Sequence, residues 1–159
     1  MTVTARPAGH EDVDSLVRLY RLLEIEMTDL HPMWPLADGL AEPVAESFES
    51  ILDDPRTIVV LGEIDGYPLG FLVAVVEDIL PQAGGEEVGS IRLVFVEREA
   101  REVAIGETMR DLAMEWLRQR GIRKFDAHVL PGHRLAKNFF EAGGFSARSI
   151  IMHHDDDRT

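Results

Sequence analysis

The run Val96 to Thr108 reads V-E-R-E-A-R-E-V-A-I-G-E-T and joins a β-branched apolar stretch to an amphipathic one. A tight loop feeding a helix points several unpaired backbone N–H groups in one direction. The helix dipole adds positive potential at the same place. Together they make an anion site suited to a pyrophosphate. Small residues at Ala104 and Gly106 let phosphate oxygens approach the backbone, and Arg101 adds a fixed charge. On spacing alone, an ordinary strand-to-helix turn accounts for the same residues equally well. Near the C-terminus, His153, His154 and Asp155 to Asp157 are metal-ligand types, but a frayed, solvated terminus explains them better.

These residues need elements to hold them, and hydrophobic periodicity supplies a set. Thr2 to Arg6 reads as a short strand. Val13, Leu16, Val17, Tyr20, Leu23 and Met27 mark one face of a helix. Leu30 to Leu40, with Pro32, Pro35 and Gly39, is irregular. Pro43 opens a second helix with Val44, Phe48, Ile51 and Leu52 inside. Thr57 to Ile64 and Leu69 to Glu77 flank an Asp65-Gly66 hairpin signal. Pro81 to Glu86 is a turn, followed by a strand from Val88 to Val96 with Ile91, Leu93 and Phe95 on one face. The third helix buries Ile105, Met109, Leu112, Ala113 and Trp116, with Gly121 at its left-handed cap. Ile122 to Leu130 is a strand on which Lys124, Asp126 and His128 share a face, stopped by Pro131. Leu135, Ala136, Phe139 and Phe140 mark a fourth helix, and Phe145 to Met152 a last strand. Consecutive strands pair antiparallel, and the strand–helix–strand unit from Val88 to Leu130 is a parallel crossover. The expectation is an α/β chain, a mixed sheet with helices on both faces.

Bulk properties narrow the classes. The chain has 159 residues, 45% of them apolar, which suits one ordinary domain over residues 1–152 with a polar tail at 153–159. There is no cysteine, hence no disulfide framework, cysteine nucleophile or cysteine metal site. Met1 to Gly9 lacks a basic region followed by an apolar run, and the apolar runs are strand-length. A cytoplasmic protein is expected, without membrane or metal. The net charge of −13 argues against nucleic acid or anionic lipid as partner and permits a cationic substrate.

The residues from Arg101 to Gly106 resemble the central motif of the GNAT superfamily of N-acetyltransferases: Arg or Gln, two residues, Gly, any residue, then Gly or Ala. Here Arg101, Glu102, Val103, Ala104, Ile105 and Gly106 match, with Ala104 in place of the first glycine. Val96 takes the place of the strand-ending valine. His133, Ala136, Phe139, Phe140, Gly144 and Phe145 resemble the downstream pattern, and Ala5 to Val13 the opening strand and helix. The resemblance implies a mostly antiparallel central sheet flanked by about four helices, with an acyl-CoA cleft between two central parallel strands. It implies acetyl-CoA as cosubstrate, its pyrophosphate on the N–H groups from Arg101 to Glu107. The pantetheine would lie along Phe95 and Val96, and the thioester carbonyl on an N–H near Val94 or Phe95.

The resemblance also implies where this chain departs. Phe140 stands where many members have a tyrosine acid, and His133 where they have an asparagine that meets the pantetheine. Loss of the acid is tolerable, since a thiol of pKa ~8.5 leaves readily as thiolate. A base matters more, because an alkyl ammonium of pKa ~10.4 cannot attack. Some relatives place a glutamate where this chain has His128, and a neutral imidazole there could take the proton. A rim histidine with no catalytic duty is the plainer alternative. Glu87, Ser90 and Arg92 are poorer candidates. Glu24, Glu26, Asp29, His31 and Trp34 lie where the fold commonly borders its acceptor pocket. They would suit a cationic amine, although a solvated helix end with a core Trp34 reads them as well. The acceptor is expected to be a small amine or peptide amine, and a homodimer is plausible. The rivals are an acyl-CoA-binding sensor or subunit without turnover, and a transferase for another acyl-CoA.

Overall fold

The computed structural model describes residues 1–30, 34, 38–79, 84–130 and 132–157. The expected positions His31, Pro32, Pro35, Pro81, Pro131, Arg158 and Thr159 lie outside them. Described in chain order are β1 (Val3–Pro7), α1 (Val13–Leu30), α2 (Val44–Leu52), β2 (Thr57–Ile64), β3 (Tyr67–Asp78), β4 (Glu87–Val96), α3 (Ile105–Arg118), β5 (Phe125–Ala127) and α4 (Arg134–Ala142). The strands form one sheet in the order β1-β2-β3-β4-β5. All neighbours are antiparallel except β4 and β5, which are parallel across the α3 crossover. Asp65 and Gly66 turn the β2–β3 hairpin with φ of 51 and 81, both positive as a type I′ turn requires.

Each sheet face covers its own core. On one, Leu16, Leu19, Tyr20 and Leu23 of α1 and Phe48 of α2 pack on Leu61, Phe71, Leu93 and Phe95. On the other, Ile105, Met109, Ala113 and Leu117 of α3 pack on Val60, Leu72, Ala74 and Ile91. Glycines let α3 approach the sheet: a Cβ on Gly62 would sit 2.4 Å from Ile105 Cγ2, and one on Gly89 2.5 Å from Leu117 Cδ1.

Five expectations need correction. Ile91 does not share a face with Leu93 and Phe95, because β4 bulges. Val73 pairs with Leu93 and Ala74 with Ile91, leaving Arg92 as the extra residue. A bulge inserts one residue and so reverses the alternation beyond it. The strand expected over Ile122 to Leu130 shrinks to Phe125–Ala127, since β5 pairs only with Gly89 to Ile91, below the bulge. Phe145 to Met152 forms no strand. Phe145 packs on Phe140 at 5.3 Å between ring centroids, and Arg148 Nε donates to Asp126 Oδ1 at 2.8 Å. Ile150, Ile151 and Met152 are adjacent rather than alternating and stay exposed. The parallel pair therefore lies at the edge of the described sheet, not at its centre. In α3 the fully buried stripe ends on Leu117, with Leu112 and Trp116 only half-buried at its flanks.

Candidate active site

The bulge at Arg92 opens the sheet. Gly89 N–H donates to Lys124 O and His128 N–H to Ile91 O, both at 3.0 Å, and there the β4–β5 ladder ends. Glu97 N–H donates to Leu69 O on β3 at 2.8 Å. Two-residue alternation then turns the backbone of Leu93 and Phe95 toward β3 and that of Val94 and Val96 away from it. Val96 O is occupied by Arg101 Nε at 2.8 Å. Val94 is left with its N–H and C=O directed into the gap between the parted strands.

That gap is a cleft of about 200 Å³, walled by Glu26 of α1, Val94, Phe95 and Val96 of β4, Arg101, Gly106 and Glu107, His133, and Leu135, Ala136 and Phe139 of α4. A smaller void of about 30 Å³ lies beside it and shares Val94, His133 and Ala136. Its other walls include Trp34, Asp38, Arg92 and His128. The loop from Arg101 to Glu107 and His128 thus stand at the two ends of one opening.

At the loop end, Ala104 holds φ 64 and ψ 21, the left-handed conformation, and caps α3. This is why glycine suits the position. The N–H groups of Ile105, Gly106 and Glu107 begin the helix without intrahelical acceptors. Thr108 N–H is the first to reach back, to Ala104 O at 3.1 Å. A Cβ on Gly106 would lie 3.0 Å from Phe139 Cε1, so the missing side chain leaves room for the ring rather than open space. Glu102 and Ala104 are exposed, Val103 is half-buried, and Ile105 faces the core. Arg101 is not a free cation: both Glu26 oxygens accept from its Nη2, at 2.8 and 2.9 Å.

Of the aromatic pair on α4, Phe139 lines the cleft and Phe140 does not. Phe140 is 3% exposed, meeting Phe139 and Phe145 edge to face in the α3-side core. His133 is the N-terminal cap of α4 and borders both spaces. Burial pushes its pKa below the usual imidazole value; Glu26 pulls it up and Arg101 pushes it down again. It is neutral at neutral pH.

At the other end, His128 keeps a side-chain exposure of 38%, with Nδ1 3.7 Å from Asp38 Oδ1. Lys124 pairs with Glu86 and Asp126 with Arg148, so neither is committed to His128. Ser90 is buried, Glu87 pairs with Arg56, and Arg92 Nη1 donates to Glu77 Oε1 at 3.0 Å. Trp34 is core, 5.6 Å from the Tyr20 ring. Glu24 pairs with Arg21. Sequence reasoning missed Asp38 and Phe139. Asp38 sits in an irregular stretch with no periodicity to mark it. Phe139 was visible as half of an aromatic pair whose orientation only the fold decides. Among the described residues no group of three or more His, Asp or Glu side chains is arranged to hold a metal ion, and no helix is long and apolar enough to cross a membrane.

The sequence model of the acetyltransferase (GNAT) family matches residues 17–145. The chain belongs to this family. It is an acyltransferase enzyme, and acetyl transfer is the family's general activity. Solved structures agree in fold. An aminoglycoside antibiotic 6'-N-acetyltransferase, AAC(6')-Ih from Acinetobacter baumannii, aligns with a TM-score of 0.76 at 14% identity, covering 99% of this chain and 100% of that one. AAC(6')-Iy in complex with the bisubstrate analog CoA-S-monomethyl-acetylneamine aligns with a TM-score of 0.76 at 15% identity, covering 99% and 100%. A putative acetyltransferase from Agrobacterium tumefaciens str. C58 aligns with a TM-score of 0.73 at 19% identity, covering 96% and 99%. No curated protein sequence matches the chain.

Proposed function

We propose that this enzyme transfers the acetyl group of acetyl-CoA to a primary amine by direct attack, with His128 as the base. The observation that carries the reading is the outward backbone of Val94, set where the loop-side cleft meets the void beside His128. The residues fit the cosubstrate. The N–H groups of Ile105 to Glu107 suit its pyrophosphate. The Val94 backbone offers a strand edge to the pantetheine, and neutral His133 can exchange one hydrogen bond with that arm. Acetyl-CoA supplies an acetyl carbon on a thiolate leaving group, so a C–N bond forms as the C–S bond breaks. Val94 N–H is the donor placed to stabilise charge on a carbonyl oxygen held there. His128 removes the proton that an ammonium must lose before it can attack. Phe139 walls the loop-side cleft beside Gly106, and neither it nor Phe140 has a proton to give the thiolate.

Thermal unfolding with acetyl-CoA tests the binding half. A hundredfold excess over Kd adds about 2.7 kcal/mol, several degrees in Tm for a domain of this size. Gly106→Val, which drives Phe139 into the cleft, should fold and lose that rise. Thiol release with a panel of primary amines tests the chemistry, and His128→Gln should lower kcat roughly a hundredfold. No rise at millimolar acetyl-CoA sinks the cosubstrate; undiminished kcat in His128→Gln sinks the base. Sustained thiol release excludes a binding-only role.

A further inference from the structure

Asp38 is the buried polar group that the proposed chemistry leaves unused. Its side chain is 8% exposed, and Oδ1 has no hydrogen-bond partner among the described residues. A buried carboxylate oxygen without a partner forfeits solvation worth more than most single contacts return, so its retention calls for a reason. Two cationic or protonatable groups face that oxygen: Arg92 Nη2 at 3.5 Å and His128 Nδ1 at 3.7 Å. Arg92 is already turned to Glu77, to which its Nη1 donates. It supplies the positive charge that offsets the buried carboxylate without satisfying Oδ1. His128 is the remaining donor. Its main chain is anchored by the bond to Ile91 O, its side chain forms no hydrogen bond among the described residues, and Asp38, Arg92 and His128 all line the void of about 30 Å³.

We propose that Asp38 is the positioning residue for His128: Oδ1 accepts from Nδ1–H, fixing the tautomer that presents the lone pair of Nε2 to the acceptor amine. Closing the gap to hydrogen-bond distance takes under about 1 Å of ring movement, which the half-exposed imidazole and the adjoining void allow. A histidine's two nitrogens are set against each other, so whichever is engaged decides which is basic toward the substrate. The bulge serves the same end, because the extra residue it inserts is Arg92, the counter-charge to Asp38. The proposal rests on the reading of His128 as the base, and its test separates the two.

The tautomer of His128 is read directly from imidazole nitrogen-15 shifts of the whole protein, without substrate. The wild-type ring should be in the Nδ1–H form. Asp38→Ala should move the neutral ring toward Nε2–H, and Asp38→Asn, which keeps the shape and removes the charge, part of the way. An unchanged tautomer in a folded Asp38→Ala protein overturns the proposal; if that variant does not fold, an unchanged tautomer in Asp38→Asn does so. Kinetics supply the second arm. Asp38→Asn should lower kcat about tenfold with KM for acetyl-CoA unchanged, and should cost nothing further in a His128→Gln background. An equal loss in both backgrounds means Asp38 does not act through His128. Full turnover by His128→Gln removes the base reading, and the tautomer then decides the Asp38 contact alone.

Discussion

Ala104 is the residue at which local chemistry and fold disagree most. Its φ of 64 puts a side chain where left-handed backbone costs an L-residue roughly 1–2 kcal/mol. The loop must turn there to start α3, and the next residues leave N–H groups open only because it does. The family's glycine would avoid the strain but would add freedom to the unfolded chain, worth about 0.4–1 kcal/mol in the other direction. The folded-state term is the larger. Ala104→Gly should therefore raise stability by about 0.5 kcal/mol, one or two degrees in Tm, and leave acetyl-CoA binding equal or tighter. Urea unfolding measures it, and a loss of stability would show that the loop holds Ala104 without strain.

Between elements, the ion pair of Glu26 and Arg101 decides how α1 meets the loop before α3. Glu26 comes from the last part of α1, and its side chain is 12% exposed against 24% for Arg101. Arg98 adds a second, looser charge at 3.7 Å. The pair fixes the loop through Arg101 Nε on Val96 O, yet it spends on Glu26 the charge that a pyrophosphate would use. Glu26→Gln should lower stability by about 1 kcal/mol, between the worth of surface and buried pairs. It should also tighten acetyl-CoA binding severalfold at low salt, an effect that salt erodes. Weaker binding in calorimetric titration would mean that holding the loop matters more than the charge. The sequence made the elements on either side of this contact legible, since α1 and α3 carry an apolar helical period and β2 and β3 are apolar runs on either side of an Asp-Gly turn. It could not reveal the contact itself, which joins residues far apart in the chain. The bulge was hidden for a different reason. Ile91, Leu93 and Phe95 alternate perfectly in sequence, and only the pairing with Val73 and Ala74 discloses that one residue is extra. The turn at Ala104 and the open N–H groups that begin α3 were readable because they are local and mostly backbone; Asp38 was not, because its environment is assembled by tertiary packing.

Across the whole molecule, two histidines make stability respond to pH in opposite senses. His10, on the turn before α1, faces Glu49 of α2 and Asp53 at its C-terminal cap, donating to Asp53 Oδ1 at 2.7 Å and pairing with Glu49. Glu49 first, then Asp53, raise its pKa above 6.5. A group whose pKa is raised by folding stabilises the protein fully below its unfolded value, and that contribution fades as pH climbs through the raised one. His133, facing Glu26 and Arg101, is held below 6.5, chiefly by burial. The unfolded chain binds its proton more readily, so stability is lost as pH falls from about 6.5 through the depressed value. The overall charge of −13 adds self-repulsion that acid relieves, a background common to any variant. Variants separate the two histidines against it. His10→Gln should lower Tm at about pH 5.5 and by less at about pH 8.5, above the unfolded value, where the contribution fades as pH climbs through the raised one. His133→Gln should do the reverse at the acid end, narrowing the fall in Tm between about pH 6.5 and 5.5. Because His133 borders the cleft, bound acetyl-CoA should alter the second difference and leave the first untouched. A His10→Gln penalty that is the same at both pH values would mean that the α2 contact is packing rather than charge.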